Sequence, residues 1–168
     1  MRRLLDGVYL ISGVAAGLFL AGIAVVIVLQ ILARLRGLAF DSTEISGFFM
    51  AASTFLGLAY TFRDGGHVRV SLLVNNLAGG RRRAAELWCC AFSACLLAYV
   101  SWHAVAFTLE SYEFHDVSPG LMAVPFWIPQ AGMALGLIIL TVALVDAAVA
   151  VARGEKAGYE DNTDTALD

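Results

Sequence analysis

Four long apolar stretches alternate with short polar connections along this 168-residue chain, at 8–33, 45–62, 87–109 and 128–151. Hardly a charge interrupts them. Each is close to the ~20 apolar residues that a helix needs to cross a ~30 Å hydrocarbon layer. A soluble domain of this length has no core that could hide four such rods. The pattern therefore predicts an all-α integral membrane protein with four transmembrane helices. A shorter element is expected between the second and third spans. Val70, Leu73, Val74 and Leu77 recur at i, i+3, i+4 and i+7, while Arg69, Asn75 and Asn76 fall mostly elsewhere on the wheel. This predicts an amphipathic helix over about 68–78, lying in a membrane interface and ended by Gly79-Gly80. The four-helix domain is expected to occupy 1–154. Residues 155–168 are polar, acidic and aperiodic, and are expected to be disordered.

Local signals place the helix ends. Asp41-Ser42-Thr43-Glu44 puts a short acceptor side chain three residues before a glutamate, a capping-box-like start for the second span with negative charge at the favoured end of the helix dipole. Pro125 and Pro129 flank the start of the fourth span. Proline is tolerated in a first helical turn, so regular helix is expected from about Ile128, with 118–127 folded at the outer interface. Small residues recur at packing spacing: Gly13, Gly17 and Ala21 in the first span, Ser53 and Gly57 in the second, Gly132 and Gly136 in the fourth. Lipid supplies little hydrophobic drive for helix association, so close backbone approach through such residues becomes a main source of it.

Composition and charge add orientation. Only 15% of residues are charged, against about 25% in soluble domains, and the length is expected to leave room for one four-helix membrane domain with short connections and no separate soluble domain. With four crossings, the N-terminus, the 63–86 connection and the C-terminal tail share one side. They carry nine basic residues: Arg2, Arg3, Arg63, Arg69, Arg81, Arg82, Arg83, Arg153 and Lys156. The opposite connections carry Arg34 and Arg36 alone. The positive-inside rule then places both termini in the cytoplasm. Arg81, Arg82 and Arg83 are expected to face anionic lipid headgroups there. The basic start at Arg2 and Arg3 resembles a signal peptide, but the apolar run that follows far exceeds a ~7–15-residue h-region. An uncleaved first helix is expected.

Few residues inside the spans could carry chemistry. Gln30, His103 and Asp146 are the intramembrane polar candidates, and a paired or snorkelling role accounts for each. Glu44 is either a helix cap or a partner contact. Cys89, Cys90 and Cys95 form no C-x-x-C and read as packing residues. No two of His67, His103 and His115 fall at one depth, which disfavours a haem-binding oxidoreductase anchor. No interrupted mid-membrane helix or inverted repeat suggests a self-contained transporter. No catalytic, cofactor-binding or metal-ligating residue is assigned, and no nucleic-acid-binding pattern is present. A small self-assembling membrane protein stays open as an alternative.

From residue 41 the chain resembles the small membrane subunit of tripartite ATP-independent periplasmic (TRAP) transporters, the DctQ-like family. The resemblance rests on Ser42-Thr-Glu-Ile-Ser-Gly, on Phe55-Leu-Gly-Leu-Ala-Tyr and on Arg63-Asp-Gly-Gly-His-Val-Arg-Val. A further match is Ser118-Pro-Gly-Leu-Met-Ala-Val-Pro-Phe-Trp-Ile-Pro, with Gly136 following. The family often carries a large residue shortly before the acidic one, where Asp41-Ser42-Thr43 stands here. The resemblance implies a non-catalytic small permease subunit of a sodium-coupled uptake system in the bacterial inner membrane. Its partners would be a large membrane subunit that moves an organic-acid-type solute, a periplasmic solute-binding protein and membrane lipids. Glu44, Gly57, Arg63, His67, Arg69, Pro125, Trp127 and Gly136 are the matched positions, expected to have structural or subunit-interface roles. Pro125 and Trp127 would shape the outer face.

Overall fold

The computed structural model describes residues 2–38, 40–63, 80–120 and 122–154. Four helices run through them: α1 (Arg2–Leu35), α2 (Thr43–Arg63), α3 (Gly80–Glu113) and α4 (Trp127–Arg153). Each contains an apolar window long enough to cross a membrane. α1 and α3 have 34 residues each, about 51 Å at 1.5 Å per residue. They outreach the hydrocarbon layer, and α3 carries Arg81, Arg82 and Arg83 in its first turn and Glu110 and Glu113 in its last. The expected amphipathic helix at 68–78 and the tail at 155–168 lie outside the described residues.

The helices do not close into a square bundle. α2 packs along α1 on one side and α4 on the other, α4 packs along α2 and α3, and α1 barely touches α4. Among the described residues α1 and α3 do not pack together. The order across the molecule is therefore α1–α2–α4–α3, a row with α2 and α4 inside. Burial follows this order: 50% of the apolar window of α4 is covered by other helices, against 6% for α1 and 17% for α3. The outward faces are broad and apolar: aliphatic at Leu18, Val25 and Val28 of α1, and partly aromatic at Trp88, Phe92 and Leu96 of α3.

Small side chains set the spacing within the row. Gly136 of α4 lies directly on the Phe55 backbone of α2; a Cβ there would sit 2.4 Å from the Phe55 carbonyl carbon and oxygen. On the other flank of α2, the Tyr60 ring covers Gly13 and the Phe49 ring covers Gly22. Phe49 also meets Phe19 edge-on, with ring centroids 5.4 Å apart. Gly57 faces Ala16 and Gly132 faces Ala52 at ordinary contact distance, and Gly17 meets open space. The core between these seams is built from Tyr9, Ala59, Ala94, Leu140, Ala143 and Leu144. Cys90 packs with Ala147 and Val151, whereas Cys89 and Cys95 are exposed. A polar link joins α3 to α4 within the spans: Ser101 Oγ and Thr141 Oγ1 lie 3.1 Å apart.

Candidate functional site

Polar side chains gather at the two ends of the row. One end is basic. There Arg63, the last residue of α2, forms an ion pair with Asp6 of α1. Its guanidinium lies 5.6 Å from the centroid of the Tyr9 ring. Arg83 turns across to α4 and donates from Nε to the Val151 carbonyl at 3.0 Å and from Nη2 to the Ala152 carbonyl. Those carbonyls belong to the last turn of a helix, where intrahelical donors run out. Gly154 completes the stop: its φ of 77° turns the chain left-handed and points its N–H back at the Ala150 and Val151 carbonyls. Arg83 therefore fastens α3 to the end of α4, a role that its place in a basic run did not reveal. Arg81 is exposed. His67 and Arg69 lie outside the described residues.

The other end is acidic and holds Glu44, Pro125 and Trp127. Asp41 begins it. Asp41 Oδ1 accepts from the Thr43 backbone N–H at 3.0 Å and from the Thr43 hydroxyl at 2.7 Å. These two bonds hold the Asp41 carboxyl below the usual carboxylate range. Ser42 is buried and donates from Oγ to Gln30 Oε1 of α1, which satisfies one of the polar groups flagged in the first span. Only half of the expected capping box forms. Asp41 caps, but Glu44 does not reach back to the chain: its Oε1 is buried and unpartnered among the described residues.

Glu44 instead meets the connection between α3 and α4. That connection doubles back on itself: the Ser118 N–H donates to the Val124 carbonyl at 2.9 Å and the Phe126 N–H to the Asp116 carbonyl at 3.0 Å. Pro125, lacking an N–H, sits opposite Val117. The turn brings Gly120 against the Glu44 carboxylate so closely that any Cβ there would collide with it. Ring contacts pin the rest. Phe126 meets Phe48 of α2 at 6.3 Å, and Trp127 meets Tyr112 of α3 at 5.7 Å, both edge-on. Between α2 and the doubled-back segment a cavity of about 350 Å³ opens, lined by Asp41, Glu44, Phe48, Ser118, Met122 and Phe126 among others. A smaller one of about 150 Å³ lies beside Tyr112, Val117, Pro125 and Trp127. The sequence pointed to Glu44, Pro125 and Trp127 separately. It marked Ser118 only as the start of a motif and gave no sign of Phe48; both meet these residues only through the fold.

A family model for "Tripartite ATP-independent periplasmic transporters, DctQ component" matches residues 23–154. The chain belongs to this family. The match runs from the middle of α1 to the residue that caps α4, so it takes in both ends of the row. A relative is the ectoine TRAP transporter small permease protein TeaB of Halomonas elongata, 27% identical over 100 residues, or 60% of this chain. The chain spans about half of that relative, 51% of its length. No solved structure matches. Four membrane-crossing helices and membership of the DctQ family make this a multi-pass protein of the bacterial inner membrane.

Proposed function

We propose that the chain is the non-catalytic small permease subunit of a sodium-coupled TRAP uptake transporter. It braces a large membrane subunit, which moves an organic-acid-type solute delivered by a periplasmic binding protein. The observation that carries this reading is the row of helices in a DctQ-family chain. A row exposes far more flank than a closed bundle of the same four helices. A wide, thin wall suits a stationary support laid against a larger moving protein. The flanks also differ in texture. α2 turns Gly47, Thr54 and Thr61 outward alongside Met50 and Tyr60, with both threonine hydroxyls bonded to their own helix, whereas the large residues that α1 turns out are leucine, valine and isoleucine. Small outward residues favour helix contact and bulky ones favour lipid.

The basic end is cytoplasmic in this reading, and so are both termini, because the helix ends that carry Arg63, Arg81, Arg83 and Arg153 lie there, against Arg34 and Arg36 at the other end. The acidic end then faces the periplasm. Co-expression of the tagged chain with its neighbouring permease and binding-protein genes tests the assignment. Purification in mild detergent is expected to recover one large multi-span partner. Vesicles holding the chain alone are expected to accumulate no organic anion under a sodium gradient. Recovery of the chain without that partner, or accumulation by the chain alone, overturns the proposal.

A further inference from the structure

The buried polar atoms that lack a partner are not spread evenly. Among the described residues five such atoms occur: Tyr9 Oη lies at the basic end, and the other four, Glu44 Oε1, Ser46 Oγ, Ser118 Oγ and Gln130 Oε1, fall in the region where α2 and α4 begin, at the acidic end. Native proteins seldom leave such atoms unpaired. Those on Glu44 and Gln130 can only accept, and a serine hydroxyl can do so. What is missing at this end is a hydrogen-bond donor. Two of these residues, Glu44 and Ser118, line the cavity of about 350 Å³. Ser118 is 5% exposed, so its free hydroxyl is a feature of the interior. The Glu44 carboxylate lies close against Gly120, and Asp41 adds a second carboxylate to the lining. The remaining walls are apolar: Phe48, Met122 and Phe126.

We propose that this cavity receives an arginine side chain from a partner protein, with the guanidinium bonded to Glu44 and Ser118 and its methylene stem laid along Phe48, Met122 and Phe126. This deepens the subunit assignment above and rests on it. A guanidinium has five donors in a fixed plane and no acceptor, which complements a site of acceptors. Its bonds to a carboxylate are charge-assisted and stronger than neutral ones. Long basic side chains cover apolar surface with their stems while the charged head meets polar groups. Aromatic faces beside the stem suit a planar cation as well. A metal ion is a poorer occupant, because no group of three or more His, Cys, Asp or Glu able to hold one occurs among the described residues. The occupant arrives through the aqueous boundary, since Asp41 and Thr43 at the rim are exposed polar residues at the very start of α2.

The test uses the whole complex. A photo-crosslinking phenylalanine analogue is placed at Met122, which lies at the cavity and is 49% exposed. Illumination followed by peptide mapping is expected to join it to one partner segment with an arginine within a few residues of the link. Glu44→Gln is expected to lower the cross-link yield roughly tenfold or more. Glu44→Arg is expected to abolish the link, and the reverse change at the partner arginine to restore it. Links to lipid or to this chain alone overturn the proposal. So does an unchanged yield in Glu44→Gln, which would mean that water serves these acceptors. Ser118→Ala supplies an independent reading, expected to lower the yield as well, should Glu44→Arg fail to assemble. The large subunit is quantified in the same wild-type preparation. Its absence defeats the subunit assignment, whereas its presence without the expected link defeats only the arginine site.

Discussion

Replacing Gly136 by alanine puts the row of helices to its sharpest test. The added methyl would lie 2.4 Å from the backbone carbonyl of Phe55 and 2.8 Å from its Cβ. Ordinary carbon contacts begin at about 3.5 Å, so the two helices must separate by about 1 Å or the backbone must bend. Neither obstacle is a side chain that can rotate away. Overpacking of this kind costs about 1–3 kcal/mol. α4 is the most covered helix in the molecule, so there is little slack on its other side. Gly132→Ala is the internal control. It lies one turn away on the same helix, and its new methyl would meet the Ala52 Cβ at 3.7 Å, an ordinary contact. Both changes gain the same helix propensity, and their difference isolates the collision. Reversible unfolding of the two variants in detergent micelles, followed by far-ultraviolet circular dichroism, should show Gly136→Ala less stable than Gly132→Ala by about 1–3 kcal/mol. Equal stabilities would refute the close α2–α4 seam and the order of helices that depends on it.

Other expectations concern the two ends. Arg83→Gln removes donors from the Val151 and Ala152 carbonyls, and hydrogen exchange at the last turn of α4 should rise roughly tenfold, the loss of one charge-assisted bond; unchanged exchange would mean that Gly154 alone caps the helix. The Arg63–Asp6 pair is partly exposed, so a double-mutant cycle should return a coupling of about 1 kcal/mol or less, and a larger value would show the pair to be shielded by lipid or a partner. Asp41 has its pKa lowered by its bonds to Thr43. Its contribution to the start of α2 is present above the unfolded aspartate value of about 3.9 and is lost as pH falls through the lower folded value. Protection of the Thr43 amide should therefore persist at neutral pH, fade only in strong acid and be lost at all pH values in Asp41→Ala. Loss of protection near neutrality in the native chain would contradict the cap.

The four membrane-crossing helices were legible in the sequence, because the bilayer imposes one simple condition on a chain. A segment that crosses it must be apolar over about 20 residues and satisfy its own backbone, and both demands are local. Local too were the turn at Pro125, the cap at Asp41 and the value of Gly136 as a small residue. The order α1–α2–α4–α3 was not legible. In lipid every helix flank is apolar whether it meets a neighbour or an acyl chain, so hydropathy does not mark which flank is inside. Gly17 and Gly136 look alike in the sequence, yet one meets open space and the other a carbonyl. The same limit hid Arg83, which sits in a run of three arginines and reaches the end of a helix 68 residues further on. It also hid the cavity between Glu44 and Ser118, residues 74 positions apart by their numbers. Contacts at that range are chosen by how whole helices lie together, and only the tertiary structure holds that information.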